Sequence, residues 1–93
     1  MEGKKAAALG YEPGDYAPKI LAKGMGVTAD AMCRIARENR IPIVKSPHLA
    51  HSLSDINPFD YIPEKYWTAV AEILRFVYET RENEERYEEQ NKG

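Results

Sequence analysis

Two histidines, His48 and His51, stand three residues apart and are the first candidates for chemistry in this sequence. On a short helix that spacing lets both imidazoles face the same way, as a shared metal ion would require. A metal needs further ligands, however, and the nearest carboxylates, Asp55 and Asp60, fall in a stretch without a regular pattern. We therefore favour a surface role and predict no metal, while a zinc titration would test the weaker alternative of a site at the two histidines.

The single cysteine, Cys33, and a glycine-rich loop are the next candidates. Cys33 could pair with a histidine as a nucleophile, but it falls on the apolar stripe of a predicted helix, where a small buried side chain is its usual meaning. Residues 24–26 (Gly-Met-Gly) lack both the third glycine of a dinucleotide fingerprint and the Gly-Lys-Ser/Thr of a phosphate loop. They predict a tight turn from a strand to a helix. We therefore predict no catalytic residue, no cofactor and no enzyme activity.

Three arginines, Arg34, Arg37 and Arg40, form a local basic cluster. Their three-residue spacing places them on the polar side of a predicted helix, where a solvated face is the favoured interpretation. Residues 1–80 carry ten Lys/Arg and ten Asp/Glu, so the body of the chain has no general positive surface for phosphate groups. A small nucleic-acid-binding module that uses this face is the alternative function. A steep salt dependence of its affinity for DNA or RNA would reveal it.

Length and composition are those of one small globular domain. The chain has 93 residues, of which 43% are hydrophobic and 30% charged, values that suit one hydrophobic core. Its apolar runs are too short for a transmembrane helix or a secretory signal, and one cysteine permits no internal disulfide. These observations predict a cytoplasmic protein.

An acidic tail is predicted at residues 81–93, after a domain at residues 5–80. The tail holds five acidic and three basic side chains and so supplies the whole net charge of −2. Apart from Tyr87 it has almost nothing apolar to bury, so it is either disordered or an extension of the last helix, with Glu82 and Arg86 paired one turn apart.

Turn-forming residues divide the first half of the chain into strand, strand, helix and strand. Residues 6–11 and 19–23 predict strands, which either form a hairpin or lie beside another strand. Thr28 is expected to cap a helix that stops at Asn39 in a left-handed conformation. Residues 41–44, rich in β-branched side chains, predict a third strand reached by a crossover.

Two further helices are predicted in the second half. Ser46 and Pro47 predict the start of a short helix that ends near Leu53. After an irregular stretch at residues 55–61, Pro63 predicts the start of the longest helix, whose broad apolar stripe should anchor the core. The stripe consists of Tyr66, Trp67, Val70, Ala71, Leu74, Val77 and Tyr78.

In their order, these segments resemble the cytoplasmic C-terminal domain of FlhB/YscU/EscU-type switch proteins of flagellar and virulence type III export apparatuses. The resemblance covers about residues 5–79. Any one segment is a weak signal, but together, in compatible spacing, they are specific. The segments are residues 6–11 (AAALGY), 17–24 (APKILAKG), 35–39 (IAREN) with 41–44 (IPIV), 47–53 (PHLAHSL), and 62–64 (IPE) with 70–74 (VAEIL).

The resemblance implies both a fold and a role. The fold would be α/β (α+β), a small mixed four-stranded sheet surrounded by helices in a single domain, with residues 55–61 as the fourth strand. The role would be that of a docking or substrate-specificity domain in a flagellar or type III protein export apparatus. Its partners would be export-gate proteins or export substrates, in the cytoplasm or peripherally at the membrane export gate.

Self-cleavage is the family property from which this sequence departs. Members of the family cleave themselves at an Asn-Pro-Thr-His motif, where the asparagine attacks its own backbone carbonyl. Residues 1–4 (Met-Glu-Gly-Lys) occupy the place of that motif and match none of its positions. The only Asn-Pro pair, Asn57 and Pro58, continues with Phe59 and Asp60 and is interpreted as a turn. We therefore expect a chain that does not cleave itself, and a natural small paralogue in preference to a trimmed piece of a longer protein.

A partner-binding patch is also implied by the resemblance, where the segment leading into the second strand meets the last helix. The matching residues are Ala17, Pro18, Ala71 and Leu74. Small residues beside a leucine form a shallow apolar groove that could accept a short hydrophobic export signal. The alternative is that Ala71 and Leu74 are simply core residues. A Leu74→Asp substitution would separate the two, by abolishing peptide binding in the first case and the fold in the second.

Overall fold

Two strands, three α-helices and one 3-10 turn follow one another along the chain. The computed structural model describes the backbone of residues 3–92 and the side chains of residues 3–79, so the expected Glu82–Arg86 pair lies outside the described side chains. The elements are β1 (Lys5–Gly10), β2 (Lys19–Met25), α1 (Val27–Glu38), α2 (Pro47–Leu53), the 3-10 turn (Glu64–Tyr66) and α3 (Trp67–Lys92).

Strands β1 and β2 form an antiparallel hairpin, the first of the two arrangements that the sequence left open. Its connection is stabilised by a turn in which the Asp15 amide donates to the Glu12 carbonyl (3.0 Å) and the Glu12 amide donates to the Asp15 carboxylate (2.9 Å). Gly14 supplies the positive φ of 93° that this turn needs. One β-bulge interrupts the register of the two strands.

The expectation of a four-stranded mixed sheet is wrong, because the sheet has only two strands within residues 3–92. Residues 41–44 take an irregular path, and the expected crossover is not formed. Pro42 has no N–H to donate to a strand ladder, and the side chains of Ile41, Ile43 and Val44 are all exposed. β-branched residues without burial do not hold a strand.

Residues 55–61 run beside the second edge of β2 without becoming a strand. The Phe59 amide donates to the Ile20 carbonyl (2.6 Å), and the Ile20 amide donates to the Asp60 carbonyl (3.2 Å). Phe59 has a φ of 71°, which turns the chain out of the extended conformation that a strand requires. The result is one isolated β-bridge rather than a fourth strand.

Helix α1 begins directly after the sheet, with Gly26 rather than the predicted Thr28 as its N-cap. The predicted loop at residues 24–26 is also wrong, since Gly24 lies within β2. A Cβ atom on Gly24 would stand 2.6 Å from Thr28 Cγ2 and 2.8 Å from Met32 Sδ. The missing side chain therefore lets α1 approach the strand closely.

Helix α1 stops at Asn39 as predicted, but the left-handed conformation falls on the next residue. Asn39 is the C-cap but has a φ of −102°, and the left-handed residue is Arg40, with a φ of 57°. The Ile41 amide donates to the Ala36 carbonyl (2.8 Å) and the Arg40 amide to the Arg37 carbonyl (3.2 Å). These two bonds form a Schellman motif, in which the left-handed position is usually glycine.

Four fully buried side chains form the centre of the core: Ile20, Leu53, Ile62 and Val70. They come from β2, from α2, from the segment before the 3-10 turn and from α3. The core therefore unites the hairpin with both C-terminal helices. Half-buried apolar residues pack around it, namely Ala7, Leu9, Leu49, Ile56, Tyr66, Trp67 and Leu74.

The two C-terminal helices begin close to where the sequence predicts. Helix α2 starts at Pro47 after the N-cap Ser46, as predicted. Pro63 precedes the 3-10 turn instead, so that α3 itself begins at Trp67. Among the described residues, no helix is both long and apolar enough to cross a membrane.

Candidate functional site

All four residues predicted to bind a partner line one open groove of about 620 Å³. Ala17 and Pro18, from the segment leading into β2, form one side. Ala71 and Leu74, from α3, form the other. The chain thus brings together positions that lie more than fifty residues apart in sequence.

Backbone bonding holds the first side of the groove in place. The Ile62 amide donates to the Pro18 carbonyl (2.8 Å), which ties the segment before β2 to the segment before α3. Ala17 is only 2% exposed, so this side of the groove is closely packed against the protein at that residue. A larger side chain could not be accommodated there without displacing one of these segments.

The second side of the groove is one face of α3. Trp67, Ala71, Leu74 and Tyr78 follow the spacing i, i+4, i+7, i+11, which aligns them along the helix. Ala71 is exposed, whereas Leu74 is half-buried and packs against the core. Ala71 is therefore not a core residue, and Leu74 contributes to both the core and the groove.

Aromatic side chains form most of the remaining wall. The ring of Tyr16, which is 75% exposed, packs edge-to-face against Tyr61 (5.6 Å) and Trp67 (5.8 Å between centroids). The Trp67 indole N–H donates to the Ile62 carbonyl (2.7 Å), so the polar atom of the ring is satisfied inside the protein. Tyr11 and Tyr78 are also half-exposed in the groove.

Sequence reasoning missed these aromatic residues as part of the site. Trp67 and Tyr78 are included in the core stripe, and Tyr11 and Tyr16 are not singled out at all. The available signal is the width of the stripe on α3, which carries more apolar residues than a core built on one small sheet can cover.

A charged pair completes the rim of the groove on α3. Arg75 Nε lies 3.3 Å from Glu79 Oε1, and the two side chains are 81% and 63% exposed. An exposed pair of this kind contributes little to stability. The groove as a whole offers an apolar floor, aromatic walls and one cation beside one anion, a combination suited to binding a short peptide segment.

A second, smaller groove of about 310 Å³ lies on another face of α3. It is formed by residues 44–46, of which Val44 belongs to the third strand predicted from the sequence, together with Leu49 and a face of α3. Its lining consists of Val44, Lys45, Ser46, Leu49, Ala69, Glu72, Ile73 and Phe76.

The histidines and the cysteine lie away from the main groove. His48 and His51 are both exposed, and His51 Nδ1 lies 2.8 Å from Lys5 Nζ. Cys33 is half-buried on α1. In the described part of the chain, no group of three His, Cys, Asp or Glu side chains could hold a metal ion.

The arginine cluster does not occupy one helix face. Arg34 forms an ion pair with Glu38 (3.5 Å) on α1, while Arg40 lies beyond the end of that helix in the left-handed turn. The placement of Arg34, Arg37 and Arg40 on one helix is therefore wrong, and the nucleic-acid alternative receives no support from it.

A model of the FlhB, HrpN, YscU and SpaS family matches residues 4–77. The flagellar biosynthetic protein FlhB of Buchnera aphidicola subsp. Schizaphis graminum is 46% identical over 68 residues, which cover 70% of this chain and 17% of that protein. The secretion system apparatus protein SsaU of Salmonella typhimurium is 40% identical over 74 residues, which cover 77% and 21%. The chain therefore spans about a fifth of the length of these relatives.

A match of nearly full length is the uncharacterized protein YlqH of Bacillus subtilis, 36% identical over 81 residues that cover 86% of this chain and 87% of that protein. Among solved structures, the PscU C-terminal domain superposes with a TM-score of 0.75 at 33% identity, over 80% of this chain and 96% of that one. A point mutant of the EscU C-terminal domain gives 0.77 at 27% identity, over 81% and 93%.

Proposed function

The chain belongs to the FlhB, HrpN, YscU and SpaS family, and from that membership we propose that it is a non-enzymatic docking domain of a flagellar or type III protein export apparatus. It works in the cytoplasm or peripherally at the membrane export gate. Its partners are export-gate proteins or export substrates, and its ligand at the main groove is a short apolar segment of an exported protein.

One observation carries this proposal, namely that Ala17, Pro18, Ala71 and Leu74 share a groove with exposed aromatic walls. Exposed aromatic rings at a small-residue floor leave apolar surface uncovered, and burying that surface favours association. The rings are rigid and partly fixed by contacts with each other, so ordering them on binding costs little entropy.

Two alanines on α3 allow a matched test of the groove. Ala71 lines it, while Ala69 is also exposed but lies on another face of the same helix. We expect Ala71→Arg to weaken binding of an apolar peptide from an exported flagellar protein by about tenfold or more, since the new side chain fills the groove. Ala69→Arg should leave the affinity unchanged.

Isothermal titration with both variants gives the answer, and circular dichroism checks that each is folded. Equal affinity of the two variants would contradict docking at this groove. Because both positions are exposed and helical, the pair avoids the ambiguity of Leu74→Asp, which also removes a core contact.

We further propose that the chain does not cleave itself. The family motif needs an asparagine followed by Pro-Thr-His, and the sole Asn-Pro pair continues as Phe59 and Asp60. There the Asp60 amide donates to the Asn57 carbonyl (3.1 Å) in a turn beside β2. Intact mass spectrometry after prolonged incubation should show one species of 10.6 kDa, and two complementary fragments would contradict the proposal.

A further inference from the structure

We propose that Arg75 makes the main groove selective for extended peptides that carry a carboxylate side chain two residues from their apolar anchor. This inference rests on the proposed docking function. It adds a ligand class that the apolar character of the groove does not by itself imply.

The charges around the groove point to an acidic ligand group. Among the described residues that line it, Arg75 is the one cation and Glu79 the one anion. Arg75 is one helical turn from Ala71, whereas Glu79 is two turns away. A ligand anchored beside Ala71 therefore meets the guanidinium first.

The contacts of Arg75 leave one edge of its guanidinium available to a ligand. Its Nε atom contacts Glu79 Oε1 at 3.3 Å, and no other polar contact of this side chain occurs within the described residues. Arginine presents its donors along two edges, so the edge formed by the two terminal nitrogens can still receive a carboxylate through two parallel bonds. Glu79 contacts the Nε atom alone and so leaves that edge open to a ligand, although its carboxylate competes for the same guanidinium.

The spacing on α3 sets the spacing in the ligand. Residues four apart on a helix lie about 6 Å from each other on the same face. In an extended peptide, residues two apart point the same way and are separated by about 6.6 Å. An apolar side chain beside Ala71 therefore places the side chain two residues along the peptide against Arg75.

Capped synthetic peptides can test this selectivity. One peptide carries leucine as the anchor and glutamate two residues further on, and its matched partners carry glutamine or lysine there. We expect the glutamate peptide to bind up to about fivefold more tightly than the glutamine peptide at low salt, the upper end of the range for an exposed charge pair. The lysine peptide should bind most weakly, and the preference should shrink as salt is added.

Two variants with opposite expected effects test whether Arg75 and Glu79 cause the preference for the glutamate peptide. Arg75→Ala should remove the difference in affinity between the glutamate and glutamine peptides, whatever its effect on the affinity that the two peptides share. Glu79→Gln should widen the difference, because it removes the competing carboxylate. A double-mutant cycle without coupling between Arg75 and the ligand glutamate would overturn the proposal.

The outcomes also separate this inference from the function on which it rests. If the peptides bind and Ala71→Arg abolishes binding, but charge has no influence, the docking groove stands and the role of Arg75 is overturned. If none of the peptides binds the unaltered protein, both are overturned.

Discussion

Trp67 serves the core and the groove with different parts of one side chain. Its ring packs against the core cluster and makes a T-shaped contact with Tyr16 at the groove, and its N–H donates to the Ile62 carbonyl. A buried N–H without a partner would cost free energy, so this bond fixes the orientation of the ring. Residues that stabilise the fold therefore also determine the shape of the groove.

Arg40 offers a test of backbone conformation at a single residue. It occupies the left-handed position after α1, which costs a non-glycine residue about 1–2 kcal/mol. We expect Arg40→Gly to raise the free energy of unfolding by about 0.5–1 kcal/mol, since glycine removes that cost but gains entropy in the unfolded chain. Urea denaturation followed by circular dichroism measures the change.

The control for that experiment is Arg37→Gly, which places glycine inside the last turn of α1. This change should lower the free energy of unfolding by about 1 kcal/mol. Destabilisation of similar size by both substitutions would argue against the left-handed turn at Arg40.

At the level of elements, the packing of α1 on the hairpin depends on a position without a side chain. Gly24 lies where the helix crosses β2, with Thr28 and Met32 directly above it. A Cβ atom at this position would therefore fit only if Thr28 and Met32 moved away from the strand. This contact joins α1 to the sheet at the end opposite the groove-forming connection.

Gly24→Ala should consequently destabilise the domain. We expect the free energy of unfolding to fall by about 1–3 kcal/mol, because Cβ would overlap the Thr28 side chain and stand 3.2 Å from its backbone carbonyl carbon. Gly3→Ala is the control, since its Cβ would make only ordinary contacts at 3.4 Å or more. Thermal unfolding of both variants measures the effect. An equal melting temperature for the two would contradict the close packing of α1 on β2 at Gly24.

The elements differ in how well the sequence alone predicts them. Helices α2 and α3 and both strands follow from turn residues and apolar spacing, because those signals are local. The strands expected at residues 41–44 and 55–61 fail for tertiary reasons. The first is not buried, and the second is turned away by the positive φ of Phe59, neither of which a short window of sequence reveals.

For the molecule as a whole, the resemblance to export switch domains is confirmed by the family match over residues 4–77. The four predicted site residues share a groove, but the aromatic walls and the Arg75–Glu79 rim were not predicted. Their positions depend on how α3 lies against the segment before β2, a relation between distant parts of the chain. The spacing of residues on one helix shows which of them share a face, but it does not show which other part of the chain packs against that face.

The claim that an apolar peptide binds in the main groove is tested most directly by mapping the peptide's binding site through amide chemical-shift changes. An apolar segment of an exported flagellar protein is titrated into the isotope-labelled domain, and the backbone amide shifts are followed. We predict that the largest changes cluster at Tyr16, Ala17, Ala71 and Leu74, around the main groove. Changes centred instead on the second groove at Val44, or on the arginines of α1, would contradict docking at the main groove.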